Sequence, residues 1–479
     1  MTSTHIQSLS PATAEVLAEY EVAGPDQVAA AVTRGRDAAQ RWGALGHRGR
    51  RDRLLRFKRT IAARVDELAA IVAAETGKPR ADAILEVMLA VEHLDWAARN
   101  AGRVLRRRKV SSGLLAANHA ATLEYHPLGV IGVIGPWNYP VYTPLGSISY
   151  ALAAGNAVVF KPSEHTPGVG AWLADAWAGD PVLQTVVGDG TTGAALCRSG
   201  VDKIAFTGSA ATARRVMAAC AETLTPLVVE GGGKDAMIVA ADADLDAAAR
   251  AAAFGGFGNA GQTCAGVERI YVVRSVYPEF LSRLSALVSG EVPYGPMTTP
   301  EQPGIVRRHV EDALAKGGRA VVGGPESITP PFISPVVLTE VPEDSTAVTE
   351  ETFGPTVVVN PVDSVDDAVT RTNESKYGLA AAIFSGDGRA AAETVRRLRV
   401  GAASINAVLG FASVPSLPFG GIGDSGFGRV HGADGLREFS RAQSVTRQRF
   451  APPMDLMRLD RDPKVMERAL RLFRLRHAR

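Results

Sequence analysis

The chain has 479 residues, enough for two or three domains at about 100–200 residues each. Its 52 Lys and Arg against 50 Asp and Glu leave a net charge of +2, and 21% charged with 46% hydrophobic residues is an ordinary globular balance. That balance excludes a basic nucleic-acid binder and a disordered scaffold. Three cysteines, Cys197, Cys220 and Cys264, are too few, odd in number and too scattered for a disulfide framework. They fit a reducing compartment, so the cytoplasm is the expected location. The N-terminus has no basic region followed by an apolar core, and no run approaches the roughly 18 apolar residues a bilayer span requires. Neither secretion nor stable membrane insertion is expected.

In chain order, Leu54, Leu55, Ile61, Val65, Leu68 and Val72 recur near helical spacing from residue 51 until Gly77 and Pro79 stop the pattern, which predicts one helix. The basic run at residues 106–109 reads as solvated surface and leads into the alternating ATLEYH at 121–126. The runs GVIGVI (129–134), AVVF (157–160), KIAFT (203–207) and LVV (227–229) are short, apolar and separated by helical stretches. Strands alternating with helices predict a parallel sheet covered on both faces. A second series, with a helix at 247–253, strands at 270–273 and 357–359 and a helix at 365–372, predicts a second α/β lobe. Beyond residue 451 the composition shifts. Asp462 as N-cap and Pro463 at the first helical position begin a helix with Met466, Ala469, Leu470 and Phe473 on one face and Arg468, Arg471 and Arg474 elsewhere. Too short and too rich in Arg to span a bilayer, this helix is expected to dock on protein, an anionic membrane surface being the other reading.

Cys197 and Cys220 read as small buried hydrophobes. Cys264 differs because it lies in GNAGQTCAG, where Gly258 and Gly261 allow tight backbone approach and a presented thiol can act as a nucleophile. A sulfur nucleophile needs a base and an oxyanion donor. Glu230 closes the LVVE strand just before three glycines and Lys234, at a strand end, where open α/β sheets place their sites. Asn138, in PWNYP after the GVIGVI strand, offers an uncharged NH2 at another strand end.

The chain resembles the aldehyde dehydrogenase superfamily over nearly its whole length. The resemblance is carried by PWNYP at 136, GNAVVFKPSEHTP at 155, FTGS at 206, EGGGK at 230, GQTC at 261, EETFGP at 350 and PFGGIGDSGFGR at 418, in that order, with 34 residues from Glu230 to Cys264. It implies Cys264 as nucleophile, Asn138 with the Cys264 backbone N–H as oxyanion hole, and Glu230 as the base that activates water. It also implies a nicotinamide dinucleotide held by Trp137, Lys161, Ser163, Glu164, Gly208, Ser209, Glu351 and Phe353, with NAD favoured over NADP because Glu164 would repel a 2'-phosphate. Tyr139, Tyr142, Thr143, Thr263 and Phe419 map to the family's substrate pocket, an apolar and aromatic funnel suited to medium-chain aliphatic or aromatic aldehydes. No metal is implied.

The expected architecture is an α/β fold of the aldehyde dehydrogenase type, with a Rossmann-like cofactor domain (1–108 and 128–231) and an α/β catalytic domain (232–437). A small β oligomerisation arm (109–127 and 438–450) and a C-terminal helical tail (451–479) complete it. The arm would pair 121–126 with 444–450, leaving an edge for a second subunit in a homodimer or homotetramer. Gly231, where the family usually has leucine, suggests a looser hinge for Glu230. The alternatives are a coenzyme A-acylating member, disfavoured by the presence of Glu230, and a catalytically silent binding protein, disfavoured by Cys264, Asn138 and Glu230 together.

Overall fold

A computed structural model describes residues 4–290, 292–452 and 454–478. The chain divides into two units, one running through Val104 and resuming over Pro127–Ser440, the other made of Leu105–His126 and the chain from Arg441. The larger unit holds two sheets. In the six-stranded sheet the order is Gly426–Phe427, Leu227–Glu230, Lys203–Thr207, Val130–Ile134, Ala157–Lys161 and Leu183–Thr185, all parallel except the first. Its central strands are buried, as parallel strands covered by helices must be. The seven-stranded sheet runs Arg319–Val322, Val336–Thr339, Thr356–Val362, Val267–Val273, Asp235–Val239, Ala380–Phe384 and Ala402–Ile405, antiparallel only at its first pair. Met237, Ile270, Val357 and Ala382 from its middle strands form one core with Phe257 and Phe280 from the helices above. In the smaller unit, His119–Pro127 lies between Arg108–Val110 and Ser440–Gln448 in a three-stranded sheet, and a helix spans Pro463–His477. Among the described residues no helix is long and apolar enough to cross a membrane.

Two local differences from the sequence reading have physical content. The single helix expected from residue 51 is two, Gly46–Ala63 and Val65–Thr76, broken at Arg64 (φ −111°, ψ 26°). No glycine or proline announces the break; the Arg64 guanidinium there grips Glu67 and Asp175. The three glycines after Glu230 form no loose hinge. A Cβ at Gly231 would lie 2.6 Å from the Asp424 carbonyl oxygen, one at Gly232 2.0 Å from the Glu351 carboxylate, and one at Gly233 2.8 Å from the Cys264 carbonyl oxygen. The Gly231 N–H is tied to Ser425 O at 2.9 Å and the Gly233 N–H to Glu351 Oε1 at 3.0 Å. Glycine is required for close approach, and the segment is firmly held.

The PWNYP turn is fixed by a buried ion pair. Lys78, just past the helix that ends at Thr76, and Glu86, on the helix Arg80–Val104, meet at 2.6 Å with both side chains fully removed from solvent. The Lys78 ammonium also donates to the Asn138 carbonyl at 2.7 Å and lies 4.1 Å from the Tyr139 ring centroid. Glu86 Oε1 accepts the Val141 and Tyr142 N–H groups at 2.8 and 3.1 Å. Each charge is therefore saturated by its partner and by backbone, the condition under which a buried pair is tolerated. Lys78→Met strands the Glu86 charge and is expected to cost about 3–5 kcal/mol in a denaturant melt. Adding Glu86→Gln, which keeps an acceptor for the two N–H groups, should restore more than half of it; a single-variant loss below about 1 kcal/mol would contradict the clamp.

Candidate active site

Four adjacent parallel strands of the six-stranded sheet end at one edge, and the candidate residues follow from those ends. Trp137 and Asn138 come after Val130–Ile134, and Lys161 closes Ala157–Lys161 with Ser163 and Glu164 just beyond. Gly208 and Ser209 follow Lys203–Thr207, and Glu230 closes Leu227–Glu230.

Cys264 follows the tight turn Gly258–Gly261. The left-handed backbone there is carried by Asn259 (φ 53°), Ala260 (φ 54°) and Gly261 (φ 70°), whereas Gly258 is at φ −55°. For the two side-chain-bearing residues this costs about 1–2 kcal/mol each, offset by a closed set of hydrogen bonds. Asn259 Nδ2 donates to the carbonyls of Asn138 and Gln262, both at 3.2 Å, Gln262 Nε2 returns to the Asn259 carbonyl at 3.0 Å, and Gln262 Oε1 accepts Thr298 N–H at 2.9 Å. The half-buried Cys264 Sγ donates to Glu230 Oε1 at 3.6 Å. Burial raises the Glu230 carboxyl to about 7, against the opposing pull of its contacts with Cys264 and Thr207. Burial, and after it the charges of Glu230, Glu351 and Asp235, push the thiol well above its ordinary range. A thiol reluctant to ionise thus faces a carboxyl that is partly ionised at neutral pH and able to accept a proton as the sulfur forms a bond.

Asn138 is buried, and its Nδ2 donates to the Gln262 carbonyl at 3.0 Å. That bond fixes which amide atom is nitrogen and leaves one of its two N–H groups for another acceptor. The neighbouring Tyr139 hydroxyl pairs with Thr263 Oγ1 at 3.0 Å, so PWNYP and GQTC are joined by two direct hydrogen bonds, with Asn259 bridging the Asn138 and Gln262 carbonyls.

A cavity of about 320 Å³ opens onto Cys264 and Glu230. Tyr139, Tyr142, Thr143, Thr263 and Phe419 all line it, and Phe411 stacks on Phe419 at 5.2 Å. Leu85 and Leu89 of the helix Arg80–Val104, Phe254, Val408 and Leu409 complete the apolar wall, and among the described residues no arginine takes part. His431 closes it against His93, their ring centroids 3.9 Å apart; burial, then the neighbouring His93, holds His431 well below its ordinary range and so neutral.

The other candidates form a second group. Lys161 is 3% exposed, and among the described residues its one hydrogen-bond partner is Glu164 Oε2 at 3.2 Å. Burial lifts the Glu164 carboxyl, but the Lys161 cation and a backbone N–H outweigh it and hold the group below the usual carboxylate range. Ser163 Oγ accepts the His165 N–H at 3.3 Å. Ser209 caps the helix Ala210–Ala221 through Thr212 N–H, with Gly208 directly before it. The Trp137 and Phe353 rings meet edge to face at 5.4 Å. Burial, then the Glu268 charge, raises Glu351 to about 8.

Sequence reasoning missed the residues that hold these in place. Glu268 accepts the Thr352 and Phe353 N–H groups at 2.8 and 2.9 Å and is paired with Lys234, whose ammonium also donates to Thr352 Oγ1 at 3.0 Å. Adjacent charged residues, Glu268 and Arg269, opening a buried apolar strand were the available signal. Lys78 and Glu86 had a fainter one, since ETGKP was read only as a helix stop.

Residues 1–445 match the aldehyde dehydrogenase family model. The chain is 39% identical to a 4,4'-diapolycopene aldehyde oxidase from Methylomonas sp, covering 94% of this chain and 87% of that protein. It is 35% identical to a Mycolicibacterium smegmatis protein bearing a succinate-semialdehyde dehydrogenase designation with NADP(+), covering 93% and 89%. Its fold matches the crystal structure of an NAD-dependent aldehyde dehydrogenase from Sinorhizobium meliloti with a TM-score of 0.89 at 31% identity, covering 95% of this chain and 93% of that one. The chain belongs to the aldehyde dehydrogenase family and is an oxidoreductase of the aldehyde group that uses a nicotinamide dinucleotide.

Proposed function

We propose that the chain oxidises an apolar aldehyde to its carboxylic acid through a thioester on Cys264, with Glu230 serving both proton transfers. The observation that carries this reading is the 3.6 Å contact between Cys264 Sγ and a carboxyl whose burial raises it to about 7. Glu230 takes the thiol proton as Sγ bonds the carbonyl carbon, and the oxygen, now negative, is held by the free Asn138 N–H and the Cys264 backbone N–H. A bound nicotinamide would supply the hydride acceptor, so that loss of hydride from the adduct leaves the acyl group on the Cys264 sulfur. Glu230, once it has lost its proton to solvent, takes one from water as the water oxygen attacks the thioester. Collapse of that adduct breaks the C–S bond and releases the acid. Direct hydrolysis is favoured over acyl transfer to coenzyme A because the base lies beside the sulfur.

The second group of residues fits a dinucleotide. Lys161 has spare N–H groups and Glu164 spare lone pairs for a ribose diol, while the N-terminus of Ala210–Ala221 suits a pyrophosphate. Trp137 and Phe353, with Glu351, would flank the nicotinamide and its ribose. Glu164, held ionised by Lys161, favours NAD over NADP. The substrate reading rests on the cavity wall. Among the described residues its one cation, Lys78, is engaged by Glu86 and the Asn138 carbonyl, so the far carboxylate of succinate semialdehyde has no partner there, whereas Leu85, Leu89, Tyr142, Phe411 and Phe419 suit a hydrocarbon chain. Leu85 and Phe254, both lining the cavity and exposed, extend that surface outward. The similarity to a diapolycopene aldehyde oxidase supports the same preference. We assign the edge of Ser440–Gln448 to pairing with a second copy.

Five outcomes are expected. Cys264→Ser abolishes NAD reduction without loss of NAD binding by calorimetry. In rapid-mixing absorbance, Glu230→Gln flattens the limb of activity that in the wild type rises with pH through about 7, because the carboxyl must be ionised to accept a proton; an unaltered limb removes Glu230 from the chemistry. Asn138→Ala slows the pre-steady-state phase by about a hundred-fold or more. Across straight-chain aldehydes kcat/KM rises about three- to four-fold per methylene until the cavity is filled, and Glu164→Gln shifts the cofactor ratio toward NADP. A preference of the wild type for succinate semialdehyde would refute the substrate assignment.

A further inference from the structure

The helix Pro463–His477 plays no part in the chemistry above, and none of its residues is buried in the chain. Asp462 caps it through Lys464 N–H at 2.8 Å, so it is a discrete, properly begun helix. At about 100° per residue, Leu472, Val465, Ala469, Phe473, Met466 and Leu470 fall within one arc of about 160°. Arg474, Glu467, Arg471, Lys464 and Arg468 share the opposite side with Leu475, and His477 falls inside the apolar arc. Met466, Leu470, Leu472 and Phe473 are 41–55% exposed, and just upstream Met457 and Leu459 are almost wholly so.

We infer that this helix is an interfacial element that lays the enzyme on an anionic lipid surface. Charge selects the partner: five Lys and Arg against one Glu give the helix an excess that a second copy of itself would repel. Arg476 lies inside the apolar arc. In a dry protein interface it would be desolvated without an acid to meet it, whereas at a bilayer its apolar stem can lie among the chains while the guanidinium reaches the phosphate level. Fifteen residues span about 22 Å, short of the roughly 30 Å hydrocarbon core, so the helix lies in the plane of the interface. A broad apolar face bearing Phe and Leu, a basic opposite face and modest overall hydrophobicity are the features of such elements. An apolar aldehyde dissolves in the same phase, but the inference stands on the helix alone and survives if the substrate assignment fails.

Sedimentation of the full chain with vesicles tests it. The wild type should pellet with phosphatidylcholine vesicles containing about 30% phosphatidylserine, stay in solution with pure phosphatidylcholine, and be released by 0.5 M KCl through screening. Arg471→Ala with Arg474→Ala should weaken binding about thirty-fold, two basic contacts at about 1 kcal/mol each. Leu470→Glu with Phe473→Glu should abolish it. Both pairs should leave NAD reduction with a short water-soluble aldehyde and the sedimentation velocity of the free protein unchanged. Wild type that stays in solution with anionic vesicles, or variants that pellet like wild type, would overturn the proposal. So would a change of oligomeric state in the Glu variants, which would assign the face to a second copy.

Discussion

Three consecutive glycines between Glu230 and Lys234 are the constraint on which the site depends. They join the last long strand of one sheet to the strand Asp235–Val239 of the other, and they pass so close to their surroundings that a single methyl at any of them would overlap a neighbour. Through that gap the Glu351 carboxylate reaches the Gly233 N–H, and the Cys264 carbonyl lies against Gly233. Glu230, Cys264 and the loop that carries Glu351 and Phe353 thus all adjoin one stretch of bare backbone. Burial also raises the Glu230 carboxyl to about 7.

Around that stretch the molecule places buried ion pairs where two loops must be held without flexibility. Lys78 with Glu86 holds the PWNYP turn, and Lys234 with Glu268 holds the Thr352–Phe353 backbone. In both pairs the carboxylate spends its remaining lone pairs on backbone N–H groups. Each is costly to desolvate and gains its value from geometry rather than from net stability. Asn138 keeps one amide N–H free, while Lys78 and Glu86, which line the cavity, are satisfied by each other and by backbone.

Much of this was legible in the residues. The strand runs were hydrophobic enough to place the parallel sheets; Glu230 and Asn138 stood out because they close or follow such a run beside glycine or proline, and Cys264 because it lies among glycines in GNAGQTCAG. What could not be read were contacts made across long separations. Nothing local to Lys78 tells that it meets Asn138, 60 residues on, and nothing in the run from 51 to 76 marks the break at Arg64, which depends on Asp175. The glycine triplet shows the converse error. Read locally it meant freedom; in the fold it means crowding, because a glycine's missing side chain is equally useful for either.

The central claim is covalent: during turnover the acyl group resides on Cys264 and not elsewhere. Acid quenching of the wild type a few milliseconds after mixing with NAD and a medium-chain aldehyde, followed by peptide mass spectrometry, reads this directly. The account predicts a mass increase equal to the acyl group less one hydrogen, confined to the peptide containing Cys264 and removed by hydroxylamine. Accumulation of acid with no acylated peptide at any quench time, or an acyl group on Cys197 or Cys220, would contradict it.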